Sequence, residues 1–380
     1  MRAGEFLILA INPGSTSTKI GIYANERPEL VRNLSHSDEE MKPFTGQRIL
    51  DQLDFRLAAI ESELAADKYD IMQFDAVVGR GGLMRPLPSG TYRVNEEMLT
   101  DLRLTRYGDH ASNLGAFLAQ QIARKAGSAE AFVVDPVVVD EWPDKARISG
   151  TALVERHCGG HMLNTKAVAK RYAREQGKPY ASLRLLVAHM GSGITTSAHE
   201  QGRMIDSHEP GHEGAFSTER SGGLPLLKVI QLCFSGKYTQ QTLWQALNRE
   251  GGFYSYLGTR DLREVERRIA AGDAKAALIF DAMAYNIAKD IGHMAVVLSG
   301  RVDAILLTGG MAYSEKLVNA IRPYVEWIAP IVVYPGEDEL QAMAEGALRV
   351  LRHEEQAREL ERCHSSCTQI AAVAEPGAGV

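Results

Sequence analysis

The sequence predicts an α/β fold made of two related halves. Three segments support this prediction, because each is an apolar run of strand length that passes directly into a loop of Gly, Ser and Thr. They are residues 6–19 (FLILAINPGSTSTK), 185–196 (LLVAHMGSGITT) and 302–314 (VDAILLTGGMAYS). Hydroxyl side chains and backbone N–H groups at a strand end can hold a phosphate. One such loop is weak support, but three indicate an organised nucleotide site and a phosphoryl-transfer enzyme.

Strand-like and helix-like segments alternate along both halves. In the first half, the pattern predicts strands at Leu7–Ile11, Lys19–Tyr23, Ala76–Val78 and Phe132–Val134, and a helix over Asn113–Lys125. In the second half, it predicts strands at Leu185–His189, Thr195–Ala198 and Ala304–Leu307. The stretches NPGSTSTKIGIY and MGSGITTSAHEQGRM share one design, a strand, a phosphate-type turn and a returning strand. The halves are therefore expected to be duplicated domains with a central cleft for ligands.

Two helices are predicted toward the end of the chain. Residues 274–299 carry apolar side chains at three-and-four spacing, which predicts a long buried helix. Met283, Tyr285 and His293 are interpreted as core or helix-surface residues of that helix. A last helix is expected to begin near Glu339 and to bury one apolar face, made of Leu340, Met343, Ala347, Leu348 and Leu351.

Composition excludes several classes of protein. The 380 residues are 45% hydrophobic and 24% charged, as in ordinary globular proteins, and they suffice for two domains. A net charge of −6 argues against a general nucleic-acid binder. No apolar run approaches the roughly 18 residues of a membrane span, and the start of the chain reads as a first strand rather than as a secretory signal. We therefore expect a cytoplasmic protein.

The four cysteines, Cys158, Cys233, Cys363 and Cys367, are too few and too scattered for a disulfide framework, so reduced thiols are expected. Cys363, His364 and Cys367 could hold a metal ion, but three ligands in a polar tail lack the paired CxxC units of zinc sites. We interpret residues 361–380 as a disordered tail.

Two motif matches are rejected. Residues 208–212 fit the HExxH spelling of a zinc protease, but Pro210 and Gly211 oppose the helix that would place both histidines on one face. Residues 191–193 begin a dinucleotide-binding fingerprint and lack its third glycine, and the sequence has no GxxxxGK[ST] motif. Neither a zinc protease, a Rossmann dehydrogenase nor a Walker-type NTPase is predicted.

The motifs together resemble the acetate and butyrate kinase family of the actin-like ATPase superfamily, from residue 6 to about residue 352. INPGSTSTK looks like the family's first phosphate motif, HMGSG (189–193) like its second, and VDAILLTGGMAYSE like its adenosine motif. DHASNLGA, VVDPV, GHMLN, ERSG and RDLRE match further family blocks in the same order. The forms NPGSTSTK, GRGG, HASNLGA and PGEDE are closer to the butyrate kinases than to the acetate kinases.

The resemblance implies two duplicated RNase H-like (actin-like ATPase) domains. Residues 1–140 with a returning helix at 340–360 would form the first, and residues 141–339 the second, nucleotide-binding domain. It also implies a homodimer or larger assembly, whereas the expectation of no nucleic-acid and no membrane partner rests on charge and hydropathy. The implied reaction transfers the γ-phosphoryl group of ATP, with Mg²⁺, to a carboxylate that is already ionised near neutral pH, so positioning and electrostatics should dominate.

Five residues match the family's catalytic positions: Arg80, Asp135, His161, His189 and Arg220. Forked arginine donors suit carboxylate and phosphoryl oxygens, although most arginines make surface ion pairs. A histidine can donate a hydrogen bond to a phosphoryl oxygen in the transition state. His110 matches a third histidine at the acyl site, with a purely structural role as the alternative.

The resemblance also assigns the nucleotide and the metal. Residues matching the phosphate loops, the adenine and ribose segment and the adenosine loop are Asn12, Ser15, Ser17, Lys19, Gly191, Gly193, Asp261, Leu262, Arg263, Gly310, Met311 and Ser314. Magnesium is assigned to Asp135 and to one of Glu337, Asp338 and Glu339, for which helix N-terminal acids are the alternative.

Two glycines suggest the length of the acid. Gly82 stands where acetate-specific relatives carry valine, and Gly160 stands where the family usually has an aromatic residue. We expect the missing side chains to enlarge the acyl pocket for butyrate or a branched relative such as isobutyrate. An acetate or propionate kinase, or an actin-like ATPase without kinase activity, are the alternatives.

Overall fold

The computed structural model describes residues 5–209 and 211–362, and this part of the chain divides into two compact units. The first unit combines residues up to Val139 with those from Asp338 onward, and the second runs from Asp140 to Glu337. Each unit has a β-sheet with helices on both faces, so the predicted α/β fold is confirmed. The predicted disordered tail lies outside the described residues from position 363 onward.

The first unit contains a six-stranded sheet in the order β3-β2-β1-β4-β6-β5. Its strands are β1 (Leu7–Pro13), β2 (Ser17–Ala24), β3 (Arg27–Ser35), β4 (Ala76–Gly79), β5 (Thr91–Arg93) and β6 (Glu130–Val134). Strands β1, β2 and β3 form an antiparallel meander, and β4 and β6 continue the sheet parallel to β1. Its helices are α1 (Asp38–Met41), α2 (Leu53–Ala66), α3 (Glu96–Leu104), α4 (Leu114–Ala126) and, after the second unit, α13 (Glu339–Leu351).

Strand β1 is apolar without alternation because both of its faces are covered. Leu9 and Ile11 pack in one core with residues of α2 and α4. On the other face, α13 contacts β1, β2, β4 and β6. The carboxyl ends of β1, β4 and β6 therefore lie side by side in a rigid frame.

The second unit contains a five-stranded sheet in the order β11-β10-β9-β12-β13, and an exposed hairpin. The strands are β7 (Ile148–Thr151) and β8 (Val154–Glu155) of the hairpin, and β9 (Leu185–Met190), β10 (Ile194–Glu200), β11 (Arg203–His208), β12 (Ala304–Gly309) and β13 (Ile331–Pro335) of the sheet. The helices are α5 (Asp144–Arg147), α6 (Met162–Glu175), α7 (Leu226–Cys233), α8 (Gln240–Asn248), α9 (Gly252–Leu257), α10 (Leu262–Ala270), α11 (Ala274–Val297) and α12 (Glu315–Val325).

The two sheets share one topology. In each, an antiparallel meander is continued by strands parallel to its first strand, β4 beside β1 and β12 beside β9. Helix α11 packs on one face of the second sheet and α6 on the other. The predicted duplication is thus visible in the strand order of each unit. None of the helices in the described ranges has the length and hydropathy of a membrane span.

Candidate active site

The first phosphate-type loop is the hairpin between β1 and β2. Gly14 N donates to Ser17 O over 2.8 Å and closes the turn, while Ser15 is exposed beside it. Asn12 and Lys19 face each other as neighbours in the β1–β2 register. All four residues that were assigned to this loop, Asn12, Ser15, Ser17 and Lys19, therefore lie together.

A buried arginine supports this loop from within the fold, and the sequence interpretation missed it. Arg56 on α2 is fully buried. Its guanidinium donates to Ser15 O (2.9 Å), Ser17 O (2.8 Å) and Thr18 Oγ1 (3.0 Å). Burial lowers the pKa of Arg56 to about 10, so the group stays charged at neutral pH. A fixed cation therefore lies behind the turn that would carry phosphates.

Arg80 follows β4 and is held in place by Glu339, the first residue of α13. Arg80 Nη2 lies 3.0 Å from Glu339 Oε1, and Asn12 Nδ2 donates to Glu339 Oε2 over 2.6 Å. Arg80 Nη1 is buried and has no hydrogen-bond partner within residues 5–209 and 211–362. A buried guanidinium nitrogen without a partner is costly unless an anion completes it. Arg80 is therefore arranged to receive an anionic ligand.

His110 lies close enough to Arg80 to feel its charge. Burial and then the Arg80 charge lower the pKa of His110, so its imidazole is neutral at pH 7. Nδ1 of the ring accepts from Ser112 N over 3.2 Å, which leaves the ring proton on Nε2 as a donor.

Asp135 directly follows β6, beside the strand that leads to Arg80. Its Oδ1 accepts from Gly90 N (2.8 Å) and Ser89 Oγ (2.5 Å), and the residue is buried. Its φ of 37° lies in the left-handed region, which non-glycine residues adopt rarely and which marks functional sites. Asn12, Arg80 and Asp135 thus lie at the carboxyl ends of three neighbouring parallel strands.

The three consecutive acids that were predicted near the metal, Glu337, Asp338 and Glu339, make different contacts. Glu339 binds Arg80 and Asn12 in the first unit, and Asp338 caps α13 by accepting from Gln341 N over 2.9 Å. Glu337 belongs to the second unit, where its Oε2 lies 3.3 Å from His189 Nε2. The alternative for these acids, a place at a helix N-terminus that the helix dipole favours, also agrees with the positions of Asp338 and Glu339.

In the second unit, His161 and His189 form a stacked pair. The ring centroids lie 3.8 Å apart with planes inclined by 14°. His161 Nδ1 lies 2.9 Å from Thr195 Oγ1, and His189 Nδ1 lies 2.8 Å from Asn164 Oδ1. Burial lowers the pKa of His189 to about 4, so this imidazole is neutral at pH 7.

Asn164, which the sequence interpretation did not single out, controls what His189 can offer a ligand. With the amide oxygen facing Nδ1, the ring proton sits on Nδ1 and Nε2 presents a lone pair. An amide turned by 180° would donate to Nδ1 and leave Nε2–H free to donate to a phosphoryl oxygen. Asn164 is thus a positioning residue for His189.

The second phosphate-type loop joins β9 to β10. Gly191 N donates to Gly193 O over 3.0 Å, and the Ser217 hydroxyl donates to Ser192 O. Ser217 Oγ also accepts from Arg220 N over 3.1 Å. The loop that carries Arg220 is therefore hydrogen-bonded to the second phosphate-type turn.

A cavity of about 470 Å³ opens in the second unit beside this turn. Six of the residues assigned to the nucleotide line it, namely Gly191, Asp261, Leu262, Arg263, Gly310 and Met311. Ser192, Thr218, Glu219 and Arg260 line it as well, and were not predicted. Ser314 caps α12, accepting from Leu317 N over 2.9 Å, and its hydroxyl donates to Glu266. The Ser314 hydroxyl therefore has a structural partner.

The two glycines expected to enlarge the acyl pocket do not leave empty space. A Cβ built on Gly82 would lie 2.5 Å from Asn113 Oδ1, and one on Gly160 would lie 2.7 Å from Thr195 Oγ1. Gly160 also has a φ of 125°, which side chains other than glycine rarely adopt. Asn113 and Thr195 occupy the positions that side chains at Gly82 and Gly160 would take. The extra pocket volume expected beside these two glycines is therefore already filled.

Part of the chain is similar to a known protein family. The acetokinase family pattern matches residues 149–324, which span most of the second unit. The prediction of a phosphotransferase with a carboxyl group as acceptor is confirmed.

Solved structures show the same fold across nearly the whole chain. The acetate kinase of Porphyromonas gingivalis is similar with a TM-score of 0.73 at 19% identity, covering 91% of this chain and all of the other. A propionate kinase from Francisella tularensis subsp. tularensis SCHU S4 gives 0.66 at 17% identity, covering 90% and 98%. The acetate kinase of Entamoeba histolytica gives 0.68 at 14% identity, with the same two coverages. The predicted two-domain actin-like ATPase fold is confirmed.

Proposed function

We propose that this protein is a short-chain fatty acid kinase that converts ATP and butyrate, or a branched relative such as isobutyrate, into ADP and an acyl phosphate. The observation that carries the proposal is Arg80, whose guanidinium is fixed by Glu339 while one buried nitrogen is left for an anion. Burial lowers the pKa of His110, and Arg80 lies near enough for its charge to lower it further, so the neutral ring offers Nε2–H as a second donor for a carboxylate. A regulator or chaperone with this fold has no evident need for such a cationic site.

The chemistry assigned to these residues is direct in-line transfer. A carboxylate oxygen of the acid bonds to the γ-phosphorus as the bond between that phosphorus and the β,γ-bridging oxygen breaks, and ADP leaves with that oxygen. The acid is already ionised, so no proton is removed. Arg80 would hold the carboxylate, and Arg220, His161 and His189 would face the phosphoryl oxygens as their charge is redistributed.

We assign the nucleotide to the cavity beside the second phosphate-type turn. The cavity offers backbone at Gly310 and Gly191 for close approach of the base and phosphates. Arg260 and Arg263 at its edge are paired with Glu219 and Asp261, so backbone groups would carry most of the phosphate binding. Magnesium prefers carboxylate oxygens and phosphates as ligands, and we assign it to Asp135 and to one of Glu337, Asp338 and Glu339, directly or through water. When bound, the ion would neutralise charge on the transferring phosphates.

Acetate or propionate as the preferred acid is the second candidate. The filled positions beside Gly82 and Gly160 favour it, because they remove the room on which the longer acid was argued. Butyrate is favoured by the motifs NPGSTSTK, GRGG, HASNLGA and PGEDE, which resemble those of butyrate kinases more closely than those of acetate kinases.

A hydroxamate-trapping assay with ATP, Mg²⁺ and acetate, propionate, butyrate and isobutyrate separates these candidates. We expect kcat/KM to be highest for butyrate or isobutyrate. A higher value for acetate would assign the protein to the second candidate, and no acyl phosphate from any acid would contradict the kinase proposal. Arg80→Ala should raise the KM for the acid, whereas Arg93→Ala, at an exposed pair with Glu130, should not.

We also propose that the enzyme works as a homodimer or larger assembly. Helix α7 exposes a row of apolar side chains, with Leu226, Leu227 and Ile230 on the helix and Phe234 just after it. An exposed apolar patch of this kind is typical of an interface. Sedimentation of the wild type and of Leu227→Glu should show whether this face holds two copies together.

A further inference from the structure

A cluster of three metal-ligating side chains lies in the second unit, and the proposed kinase reaction does not use it. His208 is the last residue of β11, and Asp290 and His293 lie three residues apart on α11, which places them on the same face of that helix. One ligand atom from each of the three residues lies within 4.8 Å of the others. The rejected HExxH match paired His208 with His212, but in the fold His208 faces α11 instead.

One pair in the cluster, His208 and Asp290, already has the spacing of two ligands around one ion. His208 Nδ1 lies 3.3 Å from Asp290 Oδ1, and this nitrogen makes no well-aligned hydrogen bond to any group in the described ranges. Two ligands held about 2.0 to 2.1 Å from a tetrahedral ion are about 3.4 Å apart. The rings of His208 and His293 meet edge to face, with centroids 5.6 Å apart.

Burial gives the cluster a closed side and an open side. The side chains of His208 and Asp290 are 15% and 7% exposed, whereas His293 is an exposed residue. An ion could therefore enter from the His293 side and keep a water molecule there as a fourth ligand. The nearby cation Arg156 is occupied by Asp206 (3.0 Å) and Glu213 (2.8 Å), which offsets its repulsion of a bound cation.

Asp290 also anchors the backbone that leads to Arg220. Its second carboxylate oxygen, Oδ2, accepts from Ala215 N over 2.5 Å. A Cβ on Gly214 would lie 2.4 Å from the same oxygen, so the loop packs directly against the carboxylate. The segment continues to Ser217, which is hydrogen-bonded to the second phosphate-type turn.

We propose that His208, Asp290 and His293 form a binding site for a divalent transition-metal ion such as Zn²⁺, which fixes the carboxylate that anchors the Arg220 loop. Two imidazole nitrogens and one carboxylate suit Zn²⁺, Co²⁺ or Ni²⁺ better than Mg²⁺ or Ca²⁺, which prefer oxygen ligands. The site does not depend on the proposed kinase activity.

Titration of the chelator-treated full-length protein with Co²⁺, in the absence of nucleotide, tests the proposal. We expect one equivalent to bind with visible d–d absorption, and Zn²⁺ to displace it. His293→Gln, at an exposed position, should weaken binding by more than about a hundredfold, because losing an outer partner of a ligand costs roughly 10- to 100-fold. His208→Asn is the second ligand variant. His212→Gln is the matched control, because His212 is an exposed histidine that follows β11 closely and faces Glu209.

Zn²⁺ should also raise the Tm of the wild type and of His212→Gln, and should leave the Tm of His293→Gln unchanged. Cysteine ligands would add a sulfur-to-cobalt charge-transfer band in the near ultraviolet, which this site should lack. Absence of Co²⁺ binding, a thiolate band, or wild-type affinity in both His293→Gln and His208→Asn would each overturn the proposal.

Discussion

The two phosphate-type turns share a strand-turn-strand design, but they are supported in opposite ways. The β1–β2 turn is held by a buried cation, since Arg56 donates to the carbonyls of Ser15 and Ser17. The β9–β10 turn is held by neutral groups, namely the Ser217 hydroxyl and the backbone packed against Gly309. Duplicated backbones can thus keep one shape while the groups that stabilise them diverge.

Arg220→Ala should have the largest effect. Arg220 is the positive charge that the loop beside the β9–β10 turn would bring to the phosphoryl group. We expect kcat to fall about a thousandfold, or about 4 kcal/mol of transition-state stabilisation, with nucleotide binding largely kept. Steady-state kinetics and nucleotide titration measure the two quantities. Arg171→Ala, at an exposed pair with Glu175, is the control. A loss of less than about tenfold would remove Arg220 from the catalytic residues.

Arg56→Met should break the cationic support of the first turn. It removes the guanidinium that donates to Ser15 O, Ser17 O and the Thr18 hydroxyl, and we expect a loss of at least about 3 kcal/mol in the free energy of unfolding. Denaturant unfolding measures the loss.

Arg56→Lys separates charge from hydrogen bonding, because an ammonium keeps the charge without the forked donors. We expect it to fold, with a raised KM for ATP. Arg32→Met, at an exposed arginine on β3, is the control. Wild-type stability in Arg56→Met would show that the buried cation is dispensable.

Gly309→Ala tests the close backbone contact of the second turn. A Cβ there would lie 2.5 Å from Met190 O, and the φ of 87° already disfavours side chains. We expect a loss of about 2 kcal/mol or more in the free energy of unfolding. Gly310→Ala is the matched control, since its Cβ would meet nothing within 4 Å. Equal stability of the two variants would contradict the packing argument.

The pH dependence of stability tests the neutral environment of His189. Its pKa falls from 6.5 to about 4 on folding, so the native state disfavours the protonated ring. The stabilisation is present above pH 6.5 and is lost as the pH falls toward 4. We expect the His189 contribution to the free energy of unfolding to drop by about 2 kcal/mol between neutral pH and about pH 5. His189→Asn should lack this component, and an unchanged pH profile in that variant would contradict the assignment.

How much the sequence could predict depends on burial. Strands β1, β9 and β12 are apolar along most of their length because both faces are covered, and each was predicted within its observed bounds. Strand β3 was missed, because this exposed edge strand carries mixed polar residues without a clear alternation.

Arg80 and the two stacked histidines were assigned from the family resemblance, because residue type alone favours a surface ion pair for an arginine and a structural role for a histidine. Their roles stay predictions. Arg56 was missed because a charged residue on a helix normally lies at the surface, and its partners are backbone carbonyls far away in sequence. The pocket argument from Gly82 failed because a missing side chain does not reveal what fills its place, which here is Asn113.

The left-handed backbone of Asp135 limits how this position can change in evolution. Asparagine and glycine tolerate such a conformation better than other residues do. An aspartate codon becomes an asparagine or a glycine codon through one nucleotide substitution. One nucleotide change can therefore remove the carboxylate while the backbone at the end of β6 keeps its conformation. Inactive relatives should carry asparagine or glycine at this position more often than alanine.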